Sequence, residues 1–381
     1  MRKTAVHTAV FLCLFTGVDL FGTLATNCCN EGVIMAKIQY PKPLVQGDKI
    51  AICAFSSGVD KAFHERLDIV LNGLTAKGFI VIEGACLRQS HNSAKQRADE
   101  LMQYLTDDSI AAIMPPWGGD LTMEILPLLD FNAISKAKPK WLVGFSDIST
   151  FACALTTRCG WATLHAANLM QIHPDDPDVY LANIFSAMSL EEKQQLHQVA
   201  SPFYQQKQID YKAKPEAQFD YTAPSQWRCI NYKDKRQIEV SGRLIGGCLD
   251  TLGLLLPSNY YALHEFKKQY APEGLILYLE NAELSPMALA RCLLSLKLND
   301  VFTDVNAVVF GRSPAINNDC YFDEYQAIEL AFKGNLFPVI VDADIGHVAP
   351  NLALINGAVA TITADLCEGM ASNVVVKTDL K

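Results

Sequence analysis

The hydrophobic pattern of residues 49–150 alternates between short apolar runs and longer amphipathic segments. Continuous apolar runs at 49–54, 79–83, 110–114 and 141–144 predict buried strands. Apolar residues at helical spacing between these runs predict helices at 60–77, 93–105 and 121–129. Strands and helices that alternate in this way indicate an α/β domain with a mostly parallel sheet. Its functional loops should lie at the C-terminal ends of the strands.

A second set of strands begins near residue 238. Apolar runs at 240–244, 274–279, 307–310 and 339–341 predict strands, and helices should begin at Ser285–Pro286 and at Asp323. We therefore expect an N-terminal α/β domain (37–172), a polar linker and crossover (173–235), and a smaller C-terminal α/β domain (236–376). The active site should lie at the interface of the two domains.

Residues 1–36 are set apart as an N-terminal extension. Arg2 and Lys3 precede an apolar stretch, and residues 23–25 resemble a cleavage site, which is typical of an export signal. Asp19 interrupts the stretch, which is also too short to span a bilayer. Met35 directly precedes the segment that leads into the first strand. We favour translation from Met35 over a signal peptide.

Composition narrows the function classes. A formal net charge of −9 and the lack of basic runs with interleaved aromatics argue against nucleic-acid binding. The twelve cysteines are mostly scattered singly through apolar runs and lack the spacing of a zinc site. We therefore expect reduced cysteines, a cytoplasmic protein and no stable membrane association. We expect no metal or cofactor.

Ser146 lies where a short apolar strand ends at a Gly-x-Ser turn and a helix begins. Such a turn lifts a nucleophilic hydroxyl out of the sheet, and the helix N-terminus supplies N–H groups for an oxyanion. The alternative is that Ser146 is only a helix cap.

A nucleophilic serine needs a base and a carboxylate that orients the base. His347 follows a predicted strand in a loop shaped by Gly346 and Pro350, although it could be a structural loop histidine. Glu280 ends an apolar strand, where a carboxylate is often only the first polar loop residue. The chain order Ser146, Glu280, His347 is that of α/β-hydrolases.

Two neighbouring features could assist the nucleophile. The glycine pair Gly118–Gly119 is weak evidence for a phosphate cradle, and it could equally form an oxyanion hole. Asp147, in the first helical turn, suits the helix dipole and is interpreted as structural.

Several segments together resemble the LD-carboxypeptidase family of serine peptidases, which includes the microcin C immunity proteins. They are residues 47–57, 97–101, 115–119 with 125–127, 140–147, 242–247, 277–280 and 346–351. The Trp-Gly-Gly sequence at 117–119 resembles the immunity-protein side of the family. Three positions depart from common family residues: Phe55, the pair Ala166–Ala167, and Asn281.

The resemblance implies a Ser146–Glu280–His347 triad that hydrolyses an amide through an acyl-enzyme. It implies that backbone N–H groups near Gly119 and Asp147 hold the oxyanion. Arg312 is a candidate for binding a substrate carboxylate. Two tryptophans, Trp117 and Trp227, are further candidates for substrate binding.

The substrate is left open by the sequence. The leading hypothesis is a muramoyltetrapeptide carboxypeptidase of peptidoglycan recycling, which acts on a small peptide. A hydrolase of peptidyl- or aminoacyl-nucleotide amides is the alternative, and a non-catalytic small-molecule binding protein is an alternative of another class. We also expect a homodimer. A flavodoxin-like nucleotide-binding domain is disfavoured because no phosphate loop follows the first strand.

Overall fold

The computed structural model describes residues 36–256, 258–315 and 322–381. Its helices are α1 (His64–Ala76), α2 (Ala94–Thr106), α3 (Thr122–Ile125), α4 (Phe131–Lys136), α5 (Ile148–Cys159), α6 (Val179–Met188), α7 (Leu249–Leu255), α8 (Leu263–Tyr270), α9 (Pro286–Leu298) and α10 (Glu324–Phe332). Short 3-10 helices lie at Lys61–Phe63, Leu126–Leu128 and Leu169–Gln171.

The strands of the first half are β1 (Lys49–Ile52), β2 (Ile80–Glu83), β3 (Ile110–Ile113), β4 (Trp141–Leu142) and β5 (Thr163–His165). Those that follow are β6 (Gln195–Val199), β7 (Phe203–Tyr204), β8 (Ala223–Pro224), β9 (Arg228–Cys229), β10 (Gln237–Cys248), β11 (Leu275–Glu280), β12 (Val305–Gly311), β13 (Val339–Ala343), β14 (Leu354–Asn356), β15 (Val359–Cys367) and β16 (Met370–Asp379).

The first sheet is parallel throughout, with the strand order β2-β1-β3-β4. The four apolar runs predicted as strands are these four strands. The predicted helix at 121–129 is interrupted: α3 ends at Ile125 and a 3-10 turn follows. Pro127 explains the interruption because it lacks an N–H and its ring clashes with the preceding helical turn.

The second sheet has eight strands in the order β15-β10-β11-β12-β13-β9-β16-β6, and β15 also pairs with β16. This additional pairing closes seven of the strands into a barrel. Residues of β11 alternate between two apolar clusters, with Leu277 in a cluster shared with the first half and Tyr278 in a cluster confined to the second. The alternation places the second cluster inside the barrel.

The predicted mixed α/β fold is confirmed, but the second half is larger than the sequence suggested. Residues 173–235, interpreted as a linker and crossover, contribute β6 and β9 to the second sheet. In β6 the residues alternate between exposed and buried, which is a strand pattern within a polar segment. This segment is therefore part of the folded sheet as well as a connection.

A small antiparallel ladder joins the two halves. Strand β5 follows helix α5 of the first half, and it pairs with β14 of the second. Val143 forms a parallel bridge with Leu164 in β5, which links this ladder to the end of β4. The turn that carries Ser146 therefore lies beside the junction.

None of the helices described is both long and apolar enough to cross a membrane. Residues 1–35, which contain the signal-like segment, lie outside the described residues. The eight cysteines in the described part of the chain are all free thiols, as their scattered positions predicted.

Candidate active site

Ser146 occupies a turn with unusual backbone geometry. Strand β4 ends at Leu142, helix α5 begins at Ile148, and Ser146 between them has φ +66°. A left-handed conformation is unfavourable for a residue with a side chain, and it is found mainly where the surrounding structure enforces it. The turn leaves Ser146 partly exposed, although both its neighbours are buried.

Gly118 packs directly against this serine. A Cβ atom at Gly118 would lie 2.7 Å from the Ser146 Cβ and 2.8 Å from its Oγ. Any larger residue would therefore displace the hydroxyl. The glycine pair brings a backbone segment close to Ser146, as the oxyanion-hole interpretation of the sequence requires.

His347 connects Ser146 to Glu280. The distance from His347 Nε2 to Ser146 Oγ is 3.0 Å, and that from His347 Nδ1 to Glu280 Oε2 is 2.7 Å. Glu280 is the last residue of β11 and is fully buried, whereas His347 lies in the loop after β13. The structure thus brings together three residues that are 201 and 67 positions apart.

A glycine next to His347 makes this approach possible. Gly346 has φ +93°, and a Cβ atom there would overlap the carboxylate of Glu280. Phe145, on the other side, packs edge-on against the His347 ring with 4.8 Å between ring centroids. The imidazole is therefore held both by a hydrogen bond and by packing.

Burial and charge act in opposite directions on this pair. Burial by itself would raise the pKa of Glu280, but the imidazoles of His347 and His165 outweigh it and lower that pKa. Burial opposes protonation of His347, but the Glu280 carboxylate outweighs it and raises the pKa of His347. Glu280 therefore remains ionised and stabilises an imidazolium at His347.

Asp147 connects the serine turn to two other loops. Its Oδ2 accepts hydrogen bonds from the Ser56 hydroxyl at 2.6 Å, and from the N–H and hydroxyl of Thr122 at 2.9 and 2.6 Å. Its Oδ1 accepts one from the Thr150 hydroxyl at 3.2 Å. The side chain is buried and fully engaged, which is the structural role expected of it.

Two backbone N–H groups belong to the residues that follow Gly118 and Ser146, which contact each other. Among contacts between described residues, neither the Asp147 N–H nor the Gly119 N–H donates a hydrogen bond. The Asp147 nitrogen would lie 3.2 Å from a Cβ atom at Gly118, on the side where that glycine leaves space. Other described residues therefore leave both N–H groups unengaged, as the oxyanion-hole prediction requires.

His165 was not assigned a role from the sequence, yet it lies beside this group. It is fully buried, and burial lowers its pKa to about 4, although Glu280 favours its charged form. Neither ring nitrogen of His165 nor Oε1 of Glu280 has a hydrogen-bond partner among the described residues. The sequence does indicate a buried imidazole here, because His165 lies within the largely apolar run 161–167.

The remaining candidates are Trp117, Trp227 and Arg312, and each has contacts of its own. Trp117 donates its indole N–H to the Gly58 carbonyl at 3.1 Å and packs edge-on against Phe63. Trp227 is 2% exposed and donates its indole N–H to Asp344 at 3.0 Å, so its side chain is part of the core. Arg312 is also bound to Asp344.

A cavity of about 810 Å³ extends from His347 into the second half. Arg312 lines it, and Trp227 does not. Its wall includes ten residues of the segment 204–226. Aromatic and amide side chains dominate that part of the wall, and they include Tyr204, Gln205, Gln206, Gln208, Tyr211, Phe219 and Gln226.

One group of described residues has donor atoms close enough together to hold a metal ion. The atoms of Cys248, Glu280 and His347 all lie within 4.8 Å of one another. The His347 and Glu280 atoms are already hydrogen-bonded to each other, and burial raises the pKa of the Cys248 thiol well above its usual value. This arrangement fits proton transfer better than metal coordination, which requires a deprotonated thiol.

Comparison with known families identifies both halves of the chain. The model of the LD-carboxypeptidase N-terminal domain matches residues 50–166, and that of the LD-carboxypeptidase C-terminal domain matches residues 241–362. The chain belongs to the LD-carboxypeptidase family. It is accordingly a serine peptidase, an amide hydrolase, as the resemblance of its motifs predicted.

The relatives of this LD-carboxypeptidase family member include a protein named for microcin immunity and others named as carboxypeptidases. The chain is 25% identical over 354 residues to the microcin C7 self-immunity protein MccF of Escherichia coli. The match covers 85% of this chain and 92% of the relative. It is also 25% identical over 329 residues to a probable murein peptide carboxypeptidase of Bacillus subtilis. This match covers 84% of this chain and 91% of the relative.

The fold is also that of solved structures. The structure of MccF in complex with glutamyl sulfamoyl guanosine has a TM-score of 0.74 and 22% identity, and the match covers 89% of this chain and 98% of that chain. At this level of identity, the likeness establishes the fold alone.

Proposed function

We propose that this enzyme cleaves a peptide amide through a Ser146–His347–Glu280 triad and an acyl-enzyme, as an LD-carboxypeptidase. The observation that carries the proposal is the continuous path of hydrogen bonds from Ser146 Oγ through both nitrogens of His347 to Glu280. A base that lies within 3.0 Å of both a nucleophile and an orienting carboxylate has the geometry that nucleophilic catalysis requires.

The first step forms the acyl-enzyme. His347 Nε2 takes the proton of the Ser146 hydroxyl while Oγ attacks the carbonyl carbon. The N–H groups of Gly119 and Asp147 then bind the oxyanion. The imidazolium gives its proton to the leaving amine as the C–N bond breaks, and Glu280 stabilises the charge on His347 during the step.

The second step releases the acid. His347, neutral again, takes a proton from water while the oxygen of that water attacks the acyl carbon. The ester bond to Ser146 breaks, and its Oγ recovers a proton from His347. The proton that leaves on the amine is replaced by one from water, so Ser146 and His347 return to their starting states.

A peptidyl- or aminoacyl-nucleotide amide is the second candidate substrate. The cavity beside His347 has aromatic walls at Tyr204, Tyr211 and Phe219, which suit a nucleobase because bases stack on aromatic rings. The relative MccF has been solved with glutamyl sulfamoyl guanosine, which supports the same possibility.

Mass spectrometry of reaction products distinguishes the two candidates. Purified enzyme is offered a muramoyl tetrapeptide that ends in D-alanine and, separately, an aminoacyl sulfamoyl adenosine. We expect release of D-alanine from the first by the wild type and none by Ser146→Ala. Cleavage of the nucleotide alone would favour the second candidate, and equal hydrolysis by Ser146→Ala would overturn the triad.

Assembly and location are further parts of the proposal. We expect a homodimer, which sedimentation equilibrium of the purified chain tests directly. We also place the enzyme in the cytoplasm, where recycled peptidoglycan fragments would be its substrates. The free cysteines of the described residues support this location because thiols persist in a reducing compartment.

A further inference from the structure

One wall of the catalytic cavity is a stretch of chain without helix or strand. This wall segment, residues 205–221, lies between β7 and β8, and it contributes Tyr211 and Phe219 to the cavity lining. A segment without a helix or a sheet ladder of its own is held in place by its contacts with the rest of the protein. The shape of the cavity therefore depends on where the wall segment is anchored.

A buried arginine from the first half of the chain provides one anchor. Arg66, in α1, is fully buried. Its Nε donates to the Met170 carbonyl at 2.8 Å, and its Nη1 donates to the carbonyls of Pro215 and Ala217, both at 2.9 Å. The guanidinium also lies over the ring of Tyr211, 4.3 Å from its centroid. One side chain thus fixes the backbone of the wall segment and a ring that lines the cavity.

A second anchor nearby is more exposed to solvent. His173 Nε2 lies 3.0 Å from Glu216 Oε2, and His173 Nδ1 accepts a hydrogen bond from Gln218 Nε2 at 3.2 Å. The Glu216 side chain is 72% exposed, so water weakens this contact. Arg66 is therefore the stronger of the two anchors to the first half.

The other end of the wall segment is attached to the loop of the catalytic histidine. The N–H of Gln205 donates to the carbonyl of Ala349 at 2.8 Å, and Ala349 follows His347 by two residues. The Gln205 side chain accepts a hydrogen bond from the N–H of Asp220 at 2.6 Å, which ties the two ends of the segment together. The wall segment thus connects the His347 loop to the anchor at Arg66.

The cost of burying Arg66 indicates that its donors are needed. Burial lowers the pKa of this group, and its neighbours Tyr211, Glu216 and Asp176 oppose the shift. An apolar side chain of similar volume would pack the site without the cost of burying a charge. A planar guanidinium, unlike an apolar side chain, can bond three carbonyls and lie on an aromatic ring at once.

We propose that Arg66 is a positioning residue that determines specificity, because it holds Tyr211 and the adjoining wall segment where a large substrate contacts them. Arg66 does not itself line the cavity, so it acts through the wall segment. Its effect on substrates rests on the function proposed above. Its effect on the wall segment does not, and the two are measured separately.

The kinetic test compares a large substrate with one too small to reach the wall segment. The large substrate is a muramoyl tetrapeptide that ends in D-alanine, and the small one is 4-nitrophenyl acetate. In Arg66→Met we expect KM for the tetrapeptide to rise at least about tenfold, with kcat and hydrolysis of the ester within about threefold of the wild type. An equal loss on both substrates, or no change in KM for the tetrapeptide, would overturn a role in specificity.

Limited digestion with trypsin follows the wall segment without any substrate. Lys207 and Lys212 are exposed residues of this segment, and mass spectrometry identifies cleavage after each. We expect cleavage there to be at least about tenfold faster in Arg66→Met than in the wild type, because loss of the anchor lets the segment open locally. This result would stand even if the tetrapeptide is not a substrate.

Arg243→Met is the matched control. Arg243 is also a buried arginine that donates to backbone carbonyls, but it lies in β10 and does not line the cavity. Cleavage after Lys207 and Lys212 should keep its wild-type rate in this variant. An unchanged rate in Arg66→Met, or an equal increase in Arg243→Met, overturns the assignment.

A second variant keeps the test decisive if Arg66→Met fails to fold. Tyr211→Leu removes the ring that lies under the guanidinium and leaves Arg66 in place. We expect faster cleavage after Lys212 in this variant than in the wild type. An unchanged rate would show that the contact between Arg66 and Tyr211 does not hold the wall segment, and would overturn the proposal.

Discussion

Asp147 and Thr122 are joined by two hydrogen bonds, because one carboxylate oxygen accepts both the backbone N–H and the hydroxyl of Thr122. The serine turn and the loop after Gly118–Gly119 are thereby fixed to each other. The same oxygen also accepts a hydrogen bond from the Ser56 hydroxyl, in the loop that follows β1. Three loops that follow three parallel strands thus share a single buried acceptor.

Replacing this acceptor should weaken both stability and catalysis. In Asp147→Asn the amide cannot accept at both oxygen positions, so buried donors lose their partner. We expect a loss of at least about 2 kcal/mol in the free energy of unfolding, and a fall in kcat because the oxyanion donors shift. Urea unfolding and steady-state kinetics measure the two effects. Asp130→Asn is the control, since it replaces a helix cap for which Asn is equally suitable. Wild-type stability in Asp147→Asn would contradict this account.

The left-handed backbone at Ser146 should be detectable as strain. Both Ser146→Gly and Ser146→Ala remove the nucleophile, but only glycine adopts positive φ without penalty. We expect the Gly variant to be more stable than the Ala variant by about 1 kcal/mol. The same pair of changes at Ser295, an exposed residue inside α9, should give the opposite order. Thermal and urea unfolding compare the four proteins, and an identical order at both positions would rule out strain at the turn.

The pH dependence of hydrolysis should report the charge of Glu280. His347 must be neutral to accept the serine proton, and its pKa is raised, so kcat/KM should increase with pH through an apparent pKa above 6.5. In Glu280→Gln the imidazolium loses its carboxylate, so this limb should move to lower pH while kcat/KM falls about 10³–10⁴-fold.

Glu283→Gln provides the control for that change. Its carboxylate is exposed and only a minor cause of the raised pKa, so activity and the pH limb should change little. A pH limb at the same position in Glu280→Gln as in the wild type would show that the carboxylate does not set the pKa of His347.

His165 should make the protein less stable in mild acid. Its pKa is about 4 in the folded state and near 6.5 when the chain unfolds, so the unfolded state binds more protons between these values. This difference removes stability as the pH falls through that window, by about 1.6 kcal/mol between pH 6.5 and pH 5.

A variant without a titratable group at this position isolates the effect. In His165→Gln the change in unfolding free energy from pH 7 to pH 5 should be smaller than in the wild type by about 2 kcal/mol. His91→Gln, which removes an exposed histidine, should retain the wild-type change. Parallel curves for the wild type and His165→Gln would disprove the buried neutral state.

Local signals in the sequence were sufficient for part of the fold and part of the site. Parallel strands such as β1 and β3 are continuous apolar runs, so they are visible without knowledge of their partners. Ser146 was found because a strand, a turn and a helix follow one another within a few residues. Glu280 and His347 carried only weak local signals, and the family resemblance supplied their roles.

Other features depend on contacts between distant segments. The barrel closes through the pairing of β15 with β16, and β6 adds to β16 from residues nearly two hundred positions earlier. Trp227 was a candidate for substrate binding, yet its indole N–H is bound to Asp344, 117 positions away. Arg312 resembled a free cation because its partner Asp344 is brought to it only by the register of β12 and β13.

The pairing of β5 with β14 joins the two halves of the chain, so it should also allow two separate fragments to associate. Ser146 lies in the first half of the chain and His347 in the second, so neither half alone holds the complete triad that we propose. Two fragments cut in the segment between the halves would each be inert, and turnover would return only when they associate with the native register. The reaction itself could thus serve as a readout of fragment complementation, with no added reporter.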